Sequence, residues 1–249
     1  MASQSSATAA AALLTALAGL RVHDASPAIE PGMPMFFAYE GPRIERLFSH
    51  AERGAAANRI SLSEHTGTHV DAPFHFDAGG LTVDRLPADA LLLRPYKKFD
   101  LSEPAPSPGR QFAAADLEAA AARAGFELAP GDVAIVEMGW DRHLATDGGA
   151  WWGANQPGLD ESACRHLVEA GVVAVASDTA ACDFACRDGE LGPGPGHSSW
   201  FLPRGVLIVE ALRGLAAVAP TGLFVALPLK IAGGTGSPVR VLLLDEGAP

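Results

Sequence analysis

One stretch limits what this chain can become more than any other: Ser63 to Phe76, which places His65, His69, Asp71 and His75 within eleven positions. Imidazoles and a carboxylate gathered so densely either bind a zinc- or manganese-like ion or carry out proton chemistry. A solvated loop with a chance concentration of histidines is the bland alternative, but small and apolar residues interleave the cluster throughout. All four residues lie at odd positions, so a regular strand would point them to one face. Four strand residues cover about 13 Å, near the limit for two imidazoles to reach one ion, so the segment must bend. Gly67, between two threonines, supplies the place. The His-x3-His spacing would also suit one turn of helix, as in zinc proteases. Thr-Gly-Thr is poor helix material, and no glutamate follows the first histidine. The expectation is a bent strand-to-loop segment that Pro73 ends, turning His75 into the same pocket.

The rest of the chain must complete such a site from a distance. Its 249 residues suffice for one large domain, and 48% apolar with 19% charged residues describes a globular chain. A formal charge of -11 argues against a nucleic-acid partner, which would want a basic face. Cys164, Cys182 and Cys186 form no disulfide framework and suit a reducing cytoplasm, as small buried thiols rather than a zinc site. Residues 1–20 lack the basic start of a signal peptide, and their apolar run is too short to span a bilayer. Ala9 to Ala18 is expected to be a short helix, docked on the body or on a partner subunit. The expected organisation is therefore a helical extension, 1–20, and one domain, 21–249, cytoplasmic and without membrane contact.

Prolines and a glycine hold Ser26 to Pro34 in an extended or turning path that delivers Met35, Phe36 and Phe37 to a core or a pocket wall. Gly41 to Asn58 looks like a surface hairpin or lid carrying an exposed His50. Composition predicts helices over Ala114–Ala124 and about Asp160–Ala170, the latter with Asp160 as N-cap and Gly171 as stop. Apolar runs predict strands at Val133–Met138, Val172–Ala176, Val206–Val209, Leu223–Leu227 and Val239–Leu244. A helix followed by a strand, twice over, marks an α/β protein. His197 follows a Gly-Pro loop, and Glu210 ends a buried strand, where ligands gather in α/β folds. An isolated acid there needs a counter-charge, either a cation or Arg213. Asp178 and Asp183 either line the same cavity or bond the backbone, and His143 and His166 are expected at the surface.

His65-Thr-Gly-Thr-His69-Val-Asp71-Ala-Pro73-Phe-His75 resembles the His-x-Gly-Thr-His-x-Asp-x-Pro-x-His motif of the cyclase-like metal hydrolases, a family that includes bacterial kynurenine formamidases and isatin hydrolases. The match is complete over eleven positions. Pro31-Gly-Met-Pro34, Gly139-Trp140, Asp178-Thr179 and Glu210-Ala-Leu support it. The resemblance implies a single β-rich α/β domain of the swivelling β/β/α type. It implies that His65, His69 and Asp71 bind a first divalent ion, zinc or manganese. Asp71, His197 and Glu210 would complete a second or shared site, for one ion or two, and His75 would transfer protons. Phe36 falls where the formamidases carry a substrate-contacting tryptophan, a departure at the substrate wall. The family's oligomeric habit implies a homodimer or homotetramer.

The chemistry agrees with the resemblance. A divalent ion held by imidazoles and carboxylates activates water and polarises a carbonyl, and His75 lies close enough in sequence to move the proton. Hydrolysis of an amide, lactam or ester of a small cyclic or aromatic molecule is expected. No Gly-x-Ser-x-Gly elbow or phosphate-binding loop is present, and Gly233 to Gly236 is expected to be a tight turn before the last strand. Two other classes fit the same residues: a metal-dependent cyclase or lyase acting on a polyketide-like substrate, and a non-catalytic small-molecule-binding relative.

Overall fold

The computed structural model describes residues 2–145 and 149–247. Nine strands form one mixed sheet. In chain order they are β1 (Arg21–Asp24), β2 (His69–Asp71), β3 (Arg94–Asp100), β4 (Val133–Glu137), β5 (Ala174–Ser177), β6 (Leu207–Glu210), β7 (Thr221–Val225), β8 (Gly236–Pro238) and β9 (Leu242–Asp245). Their spatial order is β1-β9-β7-β3-β4-β5-β6-β2-β8. Strands β3 to β6 run parallel, and antiparallel strands flank them on both sides.

Strands β4 to β6 are nearly continuous apolar runs because both of their faces are buried. Ala134, Val136, Val175 and Ile208 pack towards Leu117 and Ala120 of helix α2 (Ala114–Ala124) and Ala163 and Leu167 of helix α3 (Glu161–Glu169). Val133, Ile135, Ala174 and Val209 alternate to the opposite face, against Val70, Phe224 and Leu243. Helix α3 begins where expected: the Asp160 carboxylate accepts the Ala163 N–H at 2.9 Å.

Several expectations change. The N-terminal helix α1 runs Ala2–Ala18, longer than Ala9–Ala18, and from residue 8 its side chains are exposed apart from a half-buried Leu17 rather than docked on the body. Arg94–Asp100 is a central strand that its two lysines and a proline conceal. Lys98 is buried there because its Nζ meets Glu137 Oε2 at 2.5 Å and the Leu215 carbonyl at 2.9 Å. Gly233–Gly236 leads into β8, not directly into the last strand. His143 is half-buried between Trp140 and Trp151, with ring centroids 4.6 and 4.9 Å away. The surface hairpin is present as strands Arg43–Phe48 and Ala57–Ser61, with His50 exposed between them. No described helix is long and apolar enough to cross a membrane.

Candidate active site

The register of the sheet explains how residues from distant parts of the chain meet. In the β2–β6 ladder Glu210 stands opposite His69, Val209 opposite Val70 and Ile208 opposite Asp71. Cross-strand partners share a face. Val70 and Val209 therefore enter the core together, while His69, Asp71 and Glu210 emerge side by side on the other face. Gly67 adopts φ +62°, and this bend returns His65 to the group. After β2, a 3-10 turn over Pro73–His75 brings His75 back, its ring 4.1 Å from that of His65. His197 arrives from the helical turn Gly196–Trp200. The six polar residues singled out in the sequence thus share one site, and Phe36 lies on its wall.

The distances are short and the groups buried. His69 Nε2 lies 3.4 Å from Asp71 Oδ1 and 3.6 Å from Glu210 Oε2. His197 Nε2 lies 3.3 Å from Asp71 Oδ2 and 3.6 Å from Glu210 Oε1. Each imidazole is oriented from behind. His69 Nδ1 donates to the Gly67 carbonyl at 2.8 Å, and His197 Nδ1 donates to Asp183 Oδ1 at 2.5 Å. Those bonds leave both Nε2 atoms facing the carboxylates. His65 Nδ1 meets Asp71 Oδ1 at 2.7 Å, while its Nε2 meets Thr235 Oγ1 at 3.0 Å, which in turn donates to Glu64 Oε2 at 2.6 Å.

These charges suit a cation. Asp71 Oδ2 is buried with no hydrogen-bonding partner, a state that costs about 1–3 kcal/mol or more for a charged oxygen. Burial, with the Asp71 charge beside it, pushes the Glu210 carboxyl up, whereas three imidazoles outweigh burial and hold Asp71 well below the usual range. Burial opposes a charge on His197, but Asp183 and Asp71 raise it well above an ordinary histidine. For His75, burial and the neighbouring imidazoles win, pushing it down to about 4 and leaving the ring neutral at pH 7. Three sets of candidate ligands lie within reach of an ion: His65, Asp71 and His75; His69, Asp71 and Glu210; and Cys182, His197 and Glu210. The donor set is what a zinc- or manganese-like ion takes.

Above these groups opens a cavity of about 140 Å³, walled by Phe36, Tyr39, Phe76, Phe184 and Leu191. Sequence reasoning missed Tyr39, Glu64, Thr235 and Phe184, and left Asp183 undecided. Of the two aspartates, Asp183 serves the site, and Asp178 binds backbone, accepting from the N–H groups of Met138 (2.8 Å) and Trp140 (2.6 Å). Glu210 does not pair with Arg213. It accepts the Cys182 N–H at 2.9 Å. All three cysteines are free and buried.

A mixed-sheet α/β domain with imidazoles and carboxylates beneath an aromatic cavity defines the class, a metal-site enzyme. The chain belongs to the cyclase family, whose model matches residues 23–184. It is similar to an isatin hydrolase of Roseibium aggregatum, with 29% identity over 232 residues covering 85% of each chain. A kynurenine formamidase of Salinibacter ruber is 31% identical over 192 residues, covering 76% of this chain and 80% of that one. The crystal structure of an isatin hydrolase bound to the product analogue thioisatinate superposes with a TM-score of 0.83 at 27% identity, covering 98% of this chain and 99% of that one.

Proposed function

We propose that this protein is a metal-dependent hydrolase that cleaves an amide, lactam or ester bond in a small cyclic or aromatic molecule. The observation that carries this reading is the convergence of His69, Asp71, His197 and Glu210 around an unpartnered buried carboxylate oxygen at the floor of an aromatic cavity. His65, His69, Asp71, His197 and Glu210 hold one or two divalent cations, zinc or manganese. A cation so held supplies Lewis acidity to a substrate carbonyl and lowers the pKa of water. The relatives named for isatin and for a formamide of kynurenine both act on carbon-nitrogen bonds, which supports the amide and lactam reading.

The chain's own groups do the rest. The aromatic walls and Phe36 accept a ring: a cavity of about 150 Å³ holds a benzene-sized group, and this one measures about 140 Å³. His75, neutral at pH 7 because burial pushes its pKa down to about 4, offers a free ring nitrogen. That nitrogen takes one proton from the attacking water as its oxygen bonds to the carbonyl carbon. The same proton passes to the leaving nitrogen or oxygen as the bond to carbon breaks. The other water proton stays on the new hydroxyl, so water and amide become an acid and an amine. The assembly is a homodimer or homotetramer, the location cytoplasmic, and residues 1–20 form a helical extension to the domain 21–249.

Elemental analysis of the purified protein, combined with turnover of isatin, aryl formamides and a lactone, tests this reading. Metal at one or two equivalents with hydrolysis of a panel member supports it; a cyclase or lyase would leave all of them intact. His75→Ala is expected to lower turnover by about 10²- to 10⁴-fold at unchanged metal content. Loss of metal in that variant would make His75 a ligand.

A further inference from the structure

The hydrolytic reading gives the substrate carbonyl a cation but names no protein hydrogen-bond donor for the oxygen on which negative charge builds as water adds. Such donors act best when fixed in advance within a water-poor site. The cavity-lining imidazoles are committed. His65, His69 and His197 are held by Thr235, Gly67 and Asp183, with their remaining nitrogens on the carboxylates, and His75 carries the proton. The Ala180 N–H is spent on Gln156 Oε1 at 2.9 Å. Among the described lining residues one hydroxyl remains, that of Tyr39.

Tyr39 is built into position. Its ring stacks on His65 with centroids 5.4 Å apart and planes 16° from parallel, extending the stack of His65 on His75. Its backbone N–H closes a turn onto the Phe36 carbonyl at 3.1 Å. That strap lies so close to the helical turn Ala150–Ala154 that a Cβ on Gly153 would come within 2.2 Å of the Met35 carbonyl oxygen. Yet no described group hydrogen-bonds the Tyr39 hydroxyl. The side chain is half-buried, and its phenol is a hydrogen-bond donor at neutral pH. An anchored ring with a free, protonated hydroxyl at a cavity of this kind is placed to donate.

We propose that Tyr39 is a catalytic residue, its Oη–H donating a hydrogen bond to the substrate carbonyl oxygen and holding it more strongly as the oxyanion forms. The inference rests on the hydrolytic reading and adds a role to it. The oxygen gains the carbonyl π pair when the water oxygen bonds to carbon and returns it when the bond to the leaving group breaks. Tyr39 gives up no proton in either step.

Metal-loaded wild type, Tyr39→Phe and Tyr39→Leu are compared on isatin and an aryl formamide. Tyr39→Phe keeps the ring stack, so kcat is expected to fall by about 10²-fold with KM within threefold and metal content unchanged. Tyr39→Leu should lose kcat to the same degree and raise KM as well. A second readout needs no turnover. Binding of a phenylphosphonate monoester, which presents a charged tetrahedral centre, should weaken in Tyr39→Phe by more than binding of the uncleavable ketone 1-indanone, which presents only a neutral carbonyl. Turnover in Tyr39→Phe within threefold of wild type would overturn the proposal, as would equal weakening for both probes. A wild type that hydrolyses nothing in the panel would instead overturn the hydrolytic reading, and this role with it.

Discussion

Asp183 never faces the cavity floor directly, yet its replacement by asparagine should be felt there. Its Oδ1 accepts from His197 Nδ1 at 2.5 Å and its Oδ2 from the His197 backbone N–H at 2.9 Å. An asparagine can keep the second bond through its amide oxygen. It then turns an NH2 donor towards Nδ1, which must become an acceptor, and the ring proton moves to Nε2. That nitrogen lies 3.3 Å from Asp71 Oδ2 and 3.6 Å from Glu210 Oε1, so the lone pair offered to a cation is replaced by a proton. Removing such an orienting partner typically costs 10- to 100-fold in metal affinity, about 1.4–2.8 kcal/mol at 1.4 kcal/mol per tenfold. Zinc affinity, measured by competition with a chromophoric chelator, should fall by that factor in Asp183→Asn, while the surviving backbone bond keeps the unfolding midpoint close to wild type. Zinc affinity within threefold of wild type would refute the argument that Asp183 sets the His197 tautomer.

Two further changes separate site from scaffold. Thr235→Val keeps volume but removes the hydroxyl joining Glu64 to His65 Nε2, so metal affinity should drop about tenfold with a stability loss near 1 kcal/mol, read by chelator competition and urea unfolding. Lys98→Met strands Glu137, whose carboxyl burial already pushes up, and should cost about 3–5 kcal/mol in urea unfolding; a second change, Glu137→Leu, should restore most of it.

The motif could be located from sequence because its signals are local. Four odd-numbered ligand-type residues, a glycine able to take a positive φ and a proline that ends a strand all act within fourteen positions, and β2, Gly67 and the turn at His75 follow from them. The helices at Ala114–Ala124 and Glu161–Glu169 were legible for the same reason, through composition and a capping aspartate. Long-range pairing was not. Glu210 faces His69 only because β6 pairs antiparallel with β2 in one particular register, and a shift of one residue would turn it into the core. Strand β3 escaped notice because tertiary context overrides propensity: Lys98 is tolerated inside by an ion pair that cannot be read locally. Gly233–Gly236 has a turn's composition. Its importance comes from β8 pairing with β2, which puts Gly236 opposite Asp71 and Thr235 against His65. A Cβ at Gly236 would come within 2.6 Å of the Val70 carbonyl oxygen and 2.9 Å of His65 Cε1, so the close approach of β8 to β2 and to the site requires glycine there.

Anomalous diffraction at the zinc edge, from crystals of the metal-loaded protein, locates the ion itself. A peak bounded by His69, Asp71, His197 and Glu210 is expected, with Asp71 Oδ2 among the coordinating atoms. A fully loaded crystal whose only peak lies away from these four side chains would contradict a shared cation site there.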